Sequence, residues 1–131
     1  MTKRTILAVD DSPLAIVAIQ AALGTSEFEV VTASSGEAAL AQIPQLHPAV
    51  LLLDVYMPGL DGLEVCRRVR QNPATQYLPI VLLSGASSVK EKLAGFRAGA
   101  DDYLVKDRDL RDLLYHIGLV LRLRGAGGLA V

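Results

Sequence analysis

The sequence predicts an α/β fold: a doubly wound, five-stranded parallel sheet with helices on both faces, three layers in all. Three observations predict it. Segments that read as strands alternate with segments that read as helices five times along the 131 residues, and such alternation implies parallel pairing through right-handed crossovers. The first, third and fourth strand candidates are unbroken apolar runs, as strands covered on both faces must be. Every strand candidate except the second runs into a polar residue able to do chemistry, and a parallel sheet gathers such residues at one edge.

The elements follow in order. "TILAVDD" (5–11) is a strand ending in an acid pair. "SPLAIVAIQAALG" (12–24) is a helix with Ser12 as N-cap, Pro13 at its first position and Gly24 as its stop, each where its backbone chemistry is favoured. "FEVVTA" (28–33) is a short strand. "SSGEAALAQI" (34–43) is a helix; Ser34 and Glu37 fit a capping box and Pro44 closes it. "AVLLLD" (49–54) is the third strand, and "GLEVCRRVRQN" (62–72) is a helix whose last turn carries cations, which complement the negative end of the helix dipole. "LPIVLLS" (78–84) is the fourth strand, "SSVKEKLAGFRAGA" (87–100) a helix stopped by Gly99, and "DYLV" (102–105) the fifth strand. "DLRDLLYHIGLVLRLR" (109–124) is the last helix, before a flexible Gly-rich tail over 125–131.

The bounds narrow the class of function. A chain of this length is expected to form one domain, over 1–124, with a core of its own. The net charge is −1, with no basic patch for nucleic acid and no acidic block. Cys66 is the single cysteine, so no internal disulfide forms and a reducing cytoplasm suits the chain. No apolar run is long enough to span a bilayer or to serve as a secretory signal.

Asp10 and Asp11 follow the first strand, Asp54 ends the third, Ser84 ends the fourth and Lys106 follows the fifth. At one sheet edge, three carboxylates, a hydroxyl and an ammonium would share a pocket. At ~5 Å and an effective dielectric of ~20, each close carboxylate pair costs on the order of 3 kcal/mol. One lysine cannot neutralise three acids, whereas a divalent cation can. Oxygen-only ligands point to Mg²⁺, with Mn²⁺ able to take its place. A hard cation beside a carboxylate and a lysine suits a phosphoryl group, with Asp54 placed to attack phosphorus in line.

With "VDDS" after the first strand, "LLLDVYMPGLDG" around Asp54, "LLSG" at the fourth strand and "AGADDYLVK" through the fifth, the chain resembles the receiver domains of two-component response regulators over residues 5–124. The spacings agree: 30 residues from Asp54 to Ser84 (84 minus 54) and 22 from Ser84 to Lys106 (106 minus 84). The resemblance implies a flavodoxin-like sheet in the order 2-1-3-4-5. It implies that Asp54 accepts a phosphoryl group from a histidine kinase or histidine phosphotransfer protein. It implies that Asp11, Asp54 and the Tyr56 backbone carbonyl bind Mg²⁺ directly, with Asp10 acting through water. Ser84 and Tyr103 become the switch pair, and Lys106 contacts the phosphoryl group. The expected output is a changed binding surface rather than turnover of a substrate, with self-association through the fifth strand and last helix. The first helix is expected to help dock the donor.

Plainer readings stand beside these. Any one of the three aspartates fits a helix cap or turn; all three together do not. Asp61 reads as turn and cap, Cys66 as a small apolar filler, and His47 and His116 as surface residues. Two functional alternatives remain: a receiver-like interaction module that is never phosphorylated, and a Mg²⁺-dependent phosphatase with an aspartate nucleophile. The latter class carries a D-x-D pattern that Asp10-Asp11 does not supply.

Three features depart from the family pattern. Asp107 follows the lysine where the family has proline, so a trans Lys106–Asp107 bond is expected. Residues 12–24 carry no charge, and a helix apolar all round is normally covered. The last helix places Leu110, Leu113, Leu114, Ile117 and Leu121 on one face, and leaves Tyr115, Leu119 and Leu123 off it.

Overall fold

The structure, a computed structural model, describes residues 3–24 and 27–130, with side chains up to Arg124. Strands β1 (Arg4–Val9), β2 (Phe28–Ala33), β3 (Val50–Asp54), β4 (Ile80–Ser84) and β5 (Asp102–Val105) form one sheet in the order β2-β1-β3-β4-β5. Every pairing is parallel. Strand periodicity divides the core in two. Leu7, Val9, Leu51, Leu53, Ile80 and Leu82 face α2 (Gly36–Leu46), α3 (Gly62–Gln71) and α4 (Val89–Ala98). Ile6, Ala8, Val50, Leu52, Val81 and Leu83 face α1 (Pro13–Leu23) and α5 (Leu113–Ala130). The doubly wound fold is therefore as the sequence predicts.

Several boundaries differ from expectation. Ser35, not Ser34, caps α2: its hydroxyl accepts from the Ala38 N–H at 3.1 Å. Pro44 does not close that helix but lies within it. A proline forgoes one helical hydrogen bond, yet the next turn is held because Ile43 is buried and Leu46 packs on the same core. His47 then ends the helix in the left-handed conformation, φ 47°. The last helical segment starts earlier than residue 109. A turn over Lys106–Asp109 passes through a 3-10 turn, Leu110–Asp112, into α5. Asp109 secures this entry by accepting the Val105 N–H at 2.8 Å. Where a flexible tail was expected over 125–131, the backbone continues α5 through Ala130, and Val131 lies outside the described residues.

The first helix is not covered as its lack of charge predicts, and the last differs from expectation only in which residues form its buried stripe. In α1 only Ile19 and Leu23 are buried, while Leu14 is 82% and Val17 60% exposed. In α5 the buried stripe is Leu113, Ile117 and Val120. Leu114 is exposed rather than part of it, and Tyr115 and Leu123 are also exposed. Among the described residues no helix is long and apolar enough to cross a membrane.

Gly118 lies inside α5, and a Cβ built there meets nothing within 4 Å. Glycine costs roughly 0.5–1 kcal/mol against alanine in a helix interior. Gly118→Ala should therefore raise the thermal midpoint by a few degrees. A lowered midpoint in a melting experiment would contradict that reading.

Candidate functional site

The carboxyl edge of the sheet holds the acids. β1 ends at Val9, so Asp10 and Asp11 fall on the turn into α1. There Ser12 caps the helix by accepting from the Ala15 N–H, while Asp10 Oδ1 accepts from the Ser12 N–H at 3.0 Å. Asp54 is the last residue of β3, in register with Leu83, and Ser84 closes β4 opposite Val105. Asp10 is 2% exposed, Asp54 6% and Ser84 0%, whereas Asp11 is exposed. Asp10, Asp11 and Asp54 each present a carboxylate oxygen within 4.8 Å of the others.

Lys106 enters this cluster from the start of the turn after β5. Its Nζ donates to Asp10 Oδ2 at 2.6 Å and stands 3.1 Å from Asp54 Oδ1. Among the described residues there is no cis peptide bond, so the Lys106–Asp107 bond is trans, and the lysine reaches both acids without the family's proline. Burial pushes the Asp54 carboxyl above its ordinary range, and Lys106 only partly pulls it back. Burial also opposes the charge on Lys106, but its bonds to Asp10 and Asp54 outweigh this and hold the ammonium above its ordinary value. Three acids against one ammonium leave a deficit of positive charge. The all-oxygen donor set fits a hard divalent cation.

Ser84 Oγ accepts the Ala86 N–H at 3.0 Å, and the Tyr103 hydroxyl donates to the Ala86 carbonyl at 3.0 Å. The expected switch pair thus meets on one residue of the loop after β4. Tyr103 is buried. Tyr56 is placed differently: its ring is 60% exposed and its hydroxyl donates to Glu91 of α4. That bond pushes the Tyr56 phenol up to about 12. Of the seven residues singled out in the sequence, six lie on the loops and strand ends of one edge, and Tyr103 lies within β5 and reaches that edge through its hydroxyl. Asp61 caps α3 by accepting the Glu64 N–H at 2.9 Å, as expected of a turn residue. His116 is not a bare surface residue: its Nδ1 lies 3.0 Å from Asp102 Oδ2.

Three supporting residues escaped the sequence reading. A Cβ on Gly62 would lie 2.2 Å from the Asp54 carbonyl oxygen, so only glycine lets the start of α3 pack against the backbone of Asp54. Gly95, inside α4, leaves room for the Tyr103 ring, which a Cβ would meet at 2.9 Å. A glycine in a helix interior was the available signal for Gly95. Nothing in the sequence marked Glu91 as the partner of Tyr56.

A family model, the response regulator receiver domain, matches residues 6–118. The response regulator MprA of Mycobacterium leprae is 44% identical over 117 residues, which is 89% of this chain and 50% of that protein. The chain thus spans about half the length of that curated relative. Among solved structures, the chemotaxis protein CheY4 of Vibrio cholerae has a TM-score of 0.83 and 32% identity, covering 91% of this chain and 99% of that one. The Mn²⁺-bound response regulator Rcp1 has a TM-score of 0.74 and 30% identity, covering 91% and 92%. On this match, and on the strand-end cluster it overlies, the chain belongs to the family of response regulator receiver domains.

Proposed function

We propose that Asp54 accepts a phosphoryl group from a phosphohistidine of a histidine kinase or histidine phosphotransfer protein. The observation that carries this reading is the cluster itself: three carboxylates within 4.8 Å, two of them joined by Lys106. A carboxylate oxygen of Asp54 attacks phosphorus as the bond to the donor nitrogen breaks, and the electron pair returns to the imidazole. Lys106 then turns from the acids to the incoming phosphoryl oxygens, and Ser84 donates to one of them. Asp10, Asp11, Asp54 and the Tyr56 carbonyl would hold Mg²⁺, or Mn²⁺ as in Rcp1, which supplies positive charge to the transferring group. The chain is a signalling domain, and its proposed chemistry is self-phosphorylation with slow loss of the group. A cytoplasmic setting follows from a donor of that kind.

Incubation with acetyl phosphate and Mg²⁺ should add one phosphoryl group by intact mass, and chelation should abolish the gain. Asp11→Ala should raise the Mg²⁺ needed more than Asp10→Ala. Turnover of a small phosphate ester without labelling would favour the phosphatase reading instead.

The output is proposed to be a change at the β5 and α5 face, where Leu114, Tyr115 and Leu123 are exposed. Phosphorylation should increase self-association in sedimentation. A monomer before and after labelling would remove that part of the reading.

A further inference from the structure

The turn after β5 carries Lys106 yet has little of its own to hold it. Lys106–Asp109 is a single helical turn in which no residue is buried, and a lone turn of helix is unstable without outside contacts. Towards α1 its packing is open. A cavity of about 220 Å³ lies between Ala15 and Ala18 of α1 on one side and Lys106, Asp107 and Leu110 on the other. The proline that the family has after the lysine would fix φ at that position; Asp107 does not, and it is exposed. A side-chain bond ties the far end of the turn back to β5 instead. Asp109 Oδ2 accepts the Val105 N–H at 2.8 Å, four residues back. Val105 is a firm base, buried and in register with Ser84 at the end of β4. β5 lies at the edge of the sheet, and there the Asp109 carboxylate stands in for a neighbouring strand as the acceptor of this N–H.

We propose that Asp109 is a positioning residue for phosphoryl transfer, which takes the place of the absent proline and fixes the turn from which Lys106 reaches the acceptor. The contacts run without a break. Asp109 is bonded to Val105, Lys106 follows Val105, and the Lys106 Nζ stands 2.6 Å from Asp10 Oδ2 and 3.1 Å from Asp54 Oδ1. The bond from the Val105 N–H holds the Asp109 carboxyl below its ordinary range. The acceptor is therefore an anion at neutral pH, and charged acceptors make the stronger hydrogen bonds. The other Asp109 oxygen lies 3.4 Å from Arg108 Nε, on the exposed side of the turn. Lysine is a point charge on a flexible four-carbon stem, so a turn left loose at its base would spread the ammonium over several places. Stabilisation of a transferring group depends on a charge already in place. Asp109 thus acts on the rate through Lys106 and touches neither the phosphoryl group nor the metal ligands.

This inference rests on Asp54 being the acceptor and Lys106 contacting the phosphoryl group, and the test separates it from both. Uptake from acetyl phosphate at saturating Mg²⁺ is followed by intact mass on the whole chain, at a temperature where melting shows each variant folded. Asp109→Ala should slow uptake by about threefold to tenfold, the range that one hydrogen bond of ordinary net strength can control. Asp109→Asn, whose amide oxygen still accepts the Val105 N–H, should recover most of the rate. Arg108→Ala, which removes the other contact of Asp109, should leave uptake unchanged. In a Lys106→Met background, Asp109→Ala should slow uptake no further, because the ammonium it places is gone. A purely structural Asp109 would lower the thermal midpoint and leave the uptake rate of the folded protein as it was, or slow both backgrounds equally. Either result would overturn the positioning role alone. Should Asp109→Ala melt below the assay temperature, Asp109→Ser, whose hydroxyl falls short of Val105, gives the same comparison. Uptake indifferent to Lys106→Met would overturn the role of Lys106 and leave Asp109 nothing to position. No uptake by the unaltered chain would overturn the acceptor reading and this inference with it.

Discussion

Lys106→Met should disable the site and weaken the fold together. Asp10 and Asp54 are both buried, and the Lys106 ammonium is bonded to each. Without it, two buried carboxylates and the neighbouring Asp11 face one another uncompensated. Carboxylates about 5 Å apart repel by on the order of 3 kcal/mol at an effective dielectric of ~20, and breaking a buried pair by removing one partner costs a similar amount. In chelator, the variant should therefore lose about 3 kcal/mol of stability, close to 10 °C in thermal midpoint for a domain of this size. Millimolar Mg²⁺ should restore much of this by binding only the native state. Phosphoryl uptake at saturating Mg²⁺ should still fall by about a hundredfold, the loss typical when one donor to developing charge is removed. Chelator-phase melting and rates of uptake read the two effects separately. An unchanged midpoint in chelator would mean that Lys106 does not neutralise the acids.

Arg70→Ala should unfold the opposite end of the sheet without touching the acceptor. Arg70 leaves the last turn of α3 and donates to the carbonyls of Gly99 (2.8 Å), Gln76 (3.1 Å) and Leu78 (2.6 Å), and to Asp101 Oδ2 (3.0 Å). Asp101 in turn accepts the Ile80 N–H at 2.8 Å and the Arg124 Nε at 2.7 Å. One guanidinium thus ties α3 to the starts of β4 and β5, and Asp101 ties both to α5. Alanine leaves three carbonyls and part of the Asp101 charge unmatched in a mostly buried place. Unsatisfied groups of this kind sum to about 3 kcal/mol or more. Arg70→Lys should recover only part of it, because an ammonium lacks the planar fork that serves several acceptors at once. Denaturant unfolding measures the loss. A change under about 1 kcal/mol would show that water replaces these bonds without penalty. The phosphoryl-uptake rate of the folded fraction should be unaltered, since Arg70 lies at the far edge from Asp54.

These two clusters show what a linear reading can reach. Asp10, Asp11, Asp54, Ser84 and Lys106 were legible because each follows an apolar run, and parallel strands carry run ends to a common edge. The two-sided core was legible for the same reason. The Arg70 cluster was not, because its partners lie up to 31 residues away on two loops and nothing local distinguishes Arg70 from the cations beside it. Adjacent serines hid which one caps α2, since either fits the local pattern and only Ser35 reaches the Ala38 N–H. Pro44 misled because its rule weighs the lost hydrogen bond, whereas burial of Ile43 and packing of Leu46 decide the outcome. In α5, the face assigned from spacing missed Val120 and included Leu114, because both flank the Leu113–Ile117 line on one helix and spacing alone does not say which flank the sheet covers. Tyr56 was singled out for its carbonyl, while its side chain engages a helix 35 residues away.

The central claim is that Asp54 carries the phosphoryl group, and trapping the acyl phosphate tests it most directly. Phosphoprotein made with acetyl phosphate and Mg²⁺ is reduced with borohydride, which converts an aspartyl phosphate to homoserine, and the peptides are sequenced by mass. The account predicts homoserine at position 54, with none in Asp54→Asn and none when Mg²⁺ is chelated. Homoserine at Asp10 or Asp11, or labelling of Asp54→Asn equal to that of the unaltered chain, would contradict it.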